Sequence, residues 1–175
     1  MRQPPLWIVT GVPGAGKSTT ARALAAAEPR GVHIEGDALQ RMIVSGGEPP
    51  RPEGGEESSR QIDLNVANQC LLARSFLGAG FAVAIDYVVA TRARLSTYLD
   101  LLAPYRIRLV VLSPAPEVAE VRDRDRPTKH VLDQWRHLAA QMREELGSVG
   151  LWLDNGALDV GQTVSAIRAS AVLDP

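Results

Sequence analysis

Apolar residues in this chain fall into short unbroken runs, separated by longer segments in which they recur at helical spacing. The first run, Leu6-Trp7-Ile8-Val9-Thr10, has the length of a strand and is stopped by Gly11. Residues 18–27 are rich in alanine and favour a helix until Pro29 and Gly31 end it. Residues 32–35 read as a second strand and 38–44 as a short helix. Between 59 and 77, Ile62, Val66, Cys70, Ala73 and Leu77 recur every three or four residues, the apolar face of one helix, which Gly78 and Gly80 close. A third strand, 81–85, stops at Asp86. Residues 91–102 are helical, 107–112 form a fourth strand, and Pro116 opens another helix. Val131, Trp135, Leu138, Met142 and Leu146 mark a late amphipathic helix, before a fifth strand at 151–153 and a closing helix over 160–172.

Strands alternating with helices predict parallel strands joined by right-handed crossovers. The strands are apolar on both faces, as they must be when helices cover both sides. The expected fold is a three-layer α/β/α sandwich, one domain over residues 1–175, since this length supports one core and little more. One segment departs from the pattern. Residues 45–59 are dominated by Gly, Pro and Glu, a loop of about fifteen residues that is longer than most structureless connections.

Composition narrows the partners. A net charge of −1 gives no general attraction to nucleic acid or to an anionic membrane, and no apolar stretch is long enough to span a bilayer. The single cysteine, Cys70, cannot form an internal disulfide. No secretory pattern precedes the first strand, so a soluble cytoplasmic protein is expected. Charge and composition do not specify an oligomeric state.

The sharpest chemical signal is Gly11-Val12-Pro13-Gly14-Ala15-Gly16-Lys17-Ser18, which fits G-x-x-x-x-G-K-[ST] at every fixed position. It lies where the chemistry requires it, after a strand and before a helix. Glycines let successive N–H groups turn inward onto phosphate oxygens, and the helix start adds unpaired N–H groups with the positive end of the dipole. Lys17 is placed to reach the β- and γ-phosphates of ATP, Ser18 to ligate Mg²⁺, and Thr19 to bond an α-phosphate oxygen.

Two acidic groups end neighbouring strands, where ligands of parallel sheets bind. Glu35-Gly36-Asp37 ends the second strand and Asp86 the third. Asp37 is the candidate base for an acceptor hydroxyl, with the alternative that it only caps the helix after it. Glu35 is a candidate contact to the metal's water shell, and Asp86 either a Mg²⁺ ligand or an acceptor-binding group. Arg122 and Arg126 share a helix face at i and i+4 in a lid over about 122–131 and are candidates to neutralise charge on the transferring phosphoryl group, although alternating Arg and Asp here also suits a solvated helix face. Arg124 points elsewhere. His33, His130 and His137 lack metal-ligand spacing and read as structural or solvated, Cys70 as a small core residue, and Trp135 and Trp152 as packing residues.

The order of the phosphate loop, Glu35-Gly36-Asp37, Asp86 and the 122–126 arginines resembles small P-loop kinases, above all the chloramphenicol phosphotransferase, gluconate kinase and zeta-toxin group, with shikimate kinase further off. The resemblance spans residues 7–152. It implies a five-stranded parallel sheet in the order 2-3-1-4-5, an arginine-bearing lid, a catalytic aspartate after the second strand at Asp37, and ATP-dependent phosphorylation of a small-molecule hydroxyl. Residues 45–59 stand where such kinases bind the acceptor, and the fuller substrate motifs of gluconate and shikimate kinases are missing. A nucleotide or nucleotide-sugar kinase is the second enzyme reading. A GTP-binding switch would need Asn-Lys-x-Asp, which Thr128-Lys129-His130 does not supply, and a polynucleotide 5′-kinase would be expected to carry a basic stripe.

Overall fold

The computed structural model describes residues 3–50, 54–125 and 137–170. Five parallel strands make one sheet in the order β2-β3-β1-β4-β5. They are β1 (Leu6–Gly11), β2 (Gly31–Glu35), β3 (Ala82–Asp86), β4 (Ile107–Leu112) and β5 (Leu151–Leu153). The fold class expected from the pattern and the strand order implied by the resemblance are both present. β1 is central, with Leu6 opposite Val83 on one side and Ile107 on the other.

Side chains alternate across β1, and each set finds its own layer. Leu6 and Ile8 join Val83, Ile85, Leu109 and Val111 under α3 (Glu56–Gly78), α4 (Arg92–Leu102) and α6 (His137–Leu146). Trp7 and Val9 join Ala84, Val110 and Leu112 under α1 (Lys17–Ala26) and α7 (Val160–Ala169). The alanines of α1 let it lie close to the sheet. Fully burying a side chain such as Leu24 or Ile8 contributes on the order of 1.5–3 kcal/mol, so these two layers supply the main favourable term.

Among the described residues two helices remain, α2 (Gly36–Gln40) and α5 (Pro116–Arg124), which follow β2 and β4 at the end of the sheet where the phosphate loop lies. Here the structure corrects the sequence reading. The helix expected over 38–44 starts at Gly36 and ends at Gln40, and the helix expected from 59 begins at Glu56. Two glutamates in its first turn complement the helix dipole. The connection between these helices therefore spans 41–55 instead of 45–59, shifted toward the N-terminus at the same length, and α3 pins part of it. Gln61 Nε2 donates to Gly46 O at 2.8 Å, Glu48 N donates to Gln61 Oε1 at 2.7 Å, and Ser58 Oγ donates to Pro49 O at 3.1 Å. Of the late amphipathic helix, Val131 and Trp135 lie outside the described residues, while Leu138, Met142 and Leu146 are buried.

Candidate active site

The phosphate loop leaves the carboxyl end of β1 and turns into α1. Gly14 takes φ 80°, and a Cβ there would lie 2.1 Å from Ala119 O, so only glycine fits beneath α5. Gly16, at φ 92°, occupies the N-cap of α1, and no side chain caps that end. The helix start therefore keeps its N–H groups for an anion. Lys17 Nζ donates to Val12 O at 3.2 Å, which holds the ammonium back across the loop. Ser18 and Thr19 are exposed at the helix start, beside the same loop.

Asp86 ends β3 in register with Val9 of β1 and Glu35 of β2, and it is buried. Ser18 Oγ donates to Asp86 Oδ1 at 3.0 Å, so two oxygen donors meet beside the phosphate loop. That donor set fits Mg²⁺, which takes one or two protein oxygens and fills its octahedron from phosphates and water. Among the described residues no group of three or more His, Cys, Asp or Glu forms an all-protein metal cage.

The other carboxylate oxygen, Oδ2, contacts His33 Nε2. His33, which the sequence suggests is structural or solvated, thus lies at the candidate metal-binding carboxylate. Its one signal was alternation, because His33 and Glu35 lie two apart on β2 and so share the sheet face of Ala84 and Asp86. Glu35 itself pairs with Arg41 Nη2 at 3.0 Å, an exposed ion pair.

Asp37 is exposed in the first turn of α2, and the N-cap position belongs to Glu35, with no side-chain cap bond. The alternative that Asp37 serves as the N-cap does not hold, since it lies inside the first turn. Its neighbour Gly36 is packed so tightly that a Cβ would lie 2.3 Å from the Tyr87 ring. Burial first, then the Asp37 carboxylate, pushes the Tyr87 phenol up to about 12, against the opposing pull of Arg94. Asp37, Tyr87 and Arg94 thus share one electrostatic environment on the β2–β3 side of the phosphate loop. Arg94 is held by Asp63 Oδ1 at 2.7 Å.

Beneath α2 lies a buried amide network. Asn65 Nδ2 donates to Gly36 O at 2.9 Å and to Gln40 Oε1 at 3.2 Å, Gln69 Nε2 donates to Asn65 Oδ1, and Tyr98 Oη donates to Gln69 Oε1. The network fixes the peptide that carries Asp37.

On the other side, Asn155 in the β5–α7 loop donates through Nδ2 to Ala15 O of the phosphate loop at 3.0 Å. Arg122 Nη2 donates to the carbonyls of Asn155 and Gly156 at 3.1 and 3.3 Å. Of the two proposed lid arginines, the structure thus places Arg122 on this loop. Arg126, and the remainder of the expected lid, lie outside the described residues. Asn155 carried no sequence signal, since an isolated Asn after a strand usually only turns the chain.

The AAA domain family matches residues 6–145, most of the chain. No curated protein sequence matches it. Three solved structures show the same fold at low identity. A sugar kinase from Janibacter sp. HTCC2649 is 20% identical with a TM-score of 0.64, over 93% of this chain and 91% of its own. A gluconokinase from Sinorhizobium meliloti 1021 is 22% identical with a TM-score of 0.61, over 95% and 91%. The tunicamycin resistance protein of Deinococcus radiodurans is 19% identical with a TM-score of 0.69, over 99% of both chains. Among the described residues no helix is long and apolar enough to cross a membrane. With its phosphate loop at the end of β1 and its sheet in the order 2-3-1-4-5, the chain belongs to the AAA domain family and has the P-loop NTPase fold.

Proposed function

We infer that this protein transfers the γ-phosphate of ATP to a hydroxyl of a small molecule. The observation that carries the reading is the placement of Asp37. It stands at the end of β2, two strands from the phosphate loop, on a helix start held rigid by Asn65. A hydroxyl is a poor nucleophile and must lose its proton as its oxygen bonds to phosphorus. In this reading Asp37 accepts that proton, the acceptor oxygen bonds to the γ-phosphorus, and the bond from that phosphorus to the β–γ bridging oxygen breaks, releasing ADP. The N–H groups of Gly14 to Thr19 and the Lys17 ammonium hold the phosphates in place. Ser18 and Asp86 would hold Mg²⁺, which neutralises and orients the β- and γ-phosphate oxygens. Tyr87 and Arg94 stand with Asp37 on the acceptor side, and the segment pinned by Gln61 borders it. Arg122 and Arg126 retain their proposed role as phosphate-neutralising lid arginines, with Arg122 drawn from its loop carbonyls on closure.

The kinase names among the similar structures support this class of reaction. The acceptor can be a sugar-like metabolite or a nucleotide sugar, and the test separates them. The protein is incubated with γ-labelled ATP, Mg²⁺ and fractionated pools of metabolites, sugars and nucleotide sugars. A labelled small organic phosphate, absent with Lys17→Ala, is the expected result. Label released only as inorganic phosphate, whatever pool is added, would point to a nucleotide-hydrolysing switch.

A further inference from the structure

We propose that His33 is a positioning residue that fixes the Asp86 carboxylate for Mg²⁺·nucleotide binding. The inference rests on the nucleotide-binding part of the function above. A carboxylate oxygen only accepts hydrogen bonds, so the ring nitrogen facing Asp86 Oδ2 carries the hydrogen. Asp86 thus has one oxygen tied to β2 by His33 and the other turned to α1 by Ser18. Its own strand could not do this. β3 supplies the backbone, but a carboxylate can rotate about its χ torsions, and each oxygen can face either neighbour. Tying Oδ2 to His33 decides that Oδ1 faces Ser18 and the phosphate loop.

The register shows why a histidine is needed there. Glu35 lies directly opposite Asp86, a like-charged pair in adjacent strands, which is unfavourable unless each carboxylate has its own partner. Arg41 takes Glu35 and His33 takes Asp86. His33 makes its contact on the diagonal, two residues before the strand's acidic end. Both side chains are well buried, 12% and 6% exposed, so water does not replace the bond readily. A buried carboxylate also needs donors for stability alone, and the test must tell these two roles apart.

Equilibrium titration of ATP, first with excess EDTA and then with saturating Mg²⁺, gives the tightening due to the cation. In His33→Phe, which keeps the ring but removes the donor, ATP affinity in EDTA should match wild type within about twofold, while the Mg²⁺-dependent tightening falls about tenfold or more, the usual range for loss of an outer-shell partner. His33→Gln, whose amide reaches about as far as Nε2, should recover most of the tightening. The shorter His33→Asn should not, and this pair carries the test if His33→Phe does not fold. Equal tightening in wild type, Gln and Asn variants would overturn the proposal. So would an equal loss of affinity in EDTA and in Mg²⁺, which marks damage to the phosphate loop. If the wild type binds no ATP, the nucleotide reading itself fails, and that result is visible before any variant is made.

Discussion

Burial sets the chemistry of Cys70. Its thiol is pushed from 9.0 up to about 12 by desolvation, against a small opposing pull from Arg74. The folded protein therefore holds a neutral thiol where the unfolded chain would ionise. The stabilisation is fully present below pH 9 and is lost as pH rises from 9 toward 12. Between pH 9 and 10 stability measured in urea should fall with pH, and Cys70→Ala should reduce that slope while lowering stability modestly at pH 7, the buried Tyr87 and Tyr98 contributing the remainder. An unchanged slope would show that the thiol ionises equally well in the folded state. Cys70 thus behaves as the core residue its place on the apolar face of α3 suggested.

Among the elements, α3 holds more than a hydrophobic face. Ser58, Gln61, Asn65 and Gln69 form a buried polar stripe beside its apolar one, and this stripe grips α2 and residues 46–49. Asn65→Ala leaves the Gly36 carbonyl, the Gln40 amide oxygen and the Gln69 amide without their partner. A loss of about 1–3 kcal/mol in urea denaturation is expected, with a weakened hold on Asp37. A stability equal to wild type would mean that water fills the gap. The β5–α7 loop gives a second test at this scale. Arg122→Ala releases the Asn155 and Gly156 carbonyls and removes a proposed lid cation, so ATP binding and turnover should both weaken severalfold. Arg124 is exposed, and Arg124→Ala should leave both near wild type. Equal, small effects at the two positions would favour the solvated-helix reading of this segment.

At the scale of the whole molecule, local pattern foretold the layers and long-range pairing did not show. Residues 107–112 and 151–153 are strands at the predicted bounds, because runs apolar on both faces fit only a covered parallel sheet. The helix expected over 38–44 stops at Gln40 because its continuation is not buried. Met42 and Val44 stay exposed, and Gln40 bonds to Gln61 instead. The phosphate loop was legible because its residues are consecutive. His33 with Asp86, 53 residues apart, and Asn155 with Ala15, 140 apart, become neighbours only when crossovers close the sheet. Spacing in the chain carries no trace of either pair. Asp37 is legible from its place just past the end of a strand. The most direct test of its proposed role compares Asp37→Asn with wild type in a single turnover of γ-labelled Mg·ATP with the acceptor pool that yields a labelled organic phosphate in the assay above. The substitution keeps the size of the side chain and removes the proton acceptor. Unchanged ATP affinity and melting are expected, with phosphoryl transfer slowed about a hundred- to ten-thousand-fold. Transfer at the wild-type rate would contradict the proposed role of Asp37 and move the search for the base to Asp86.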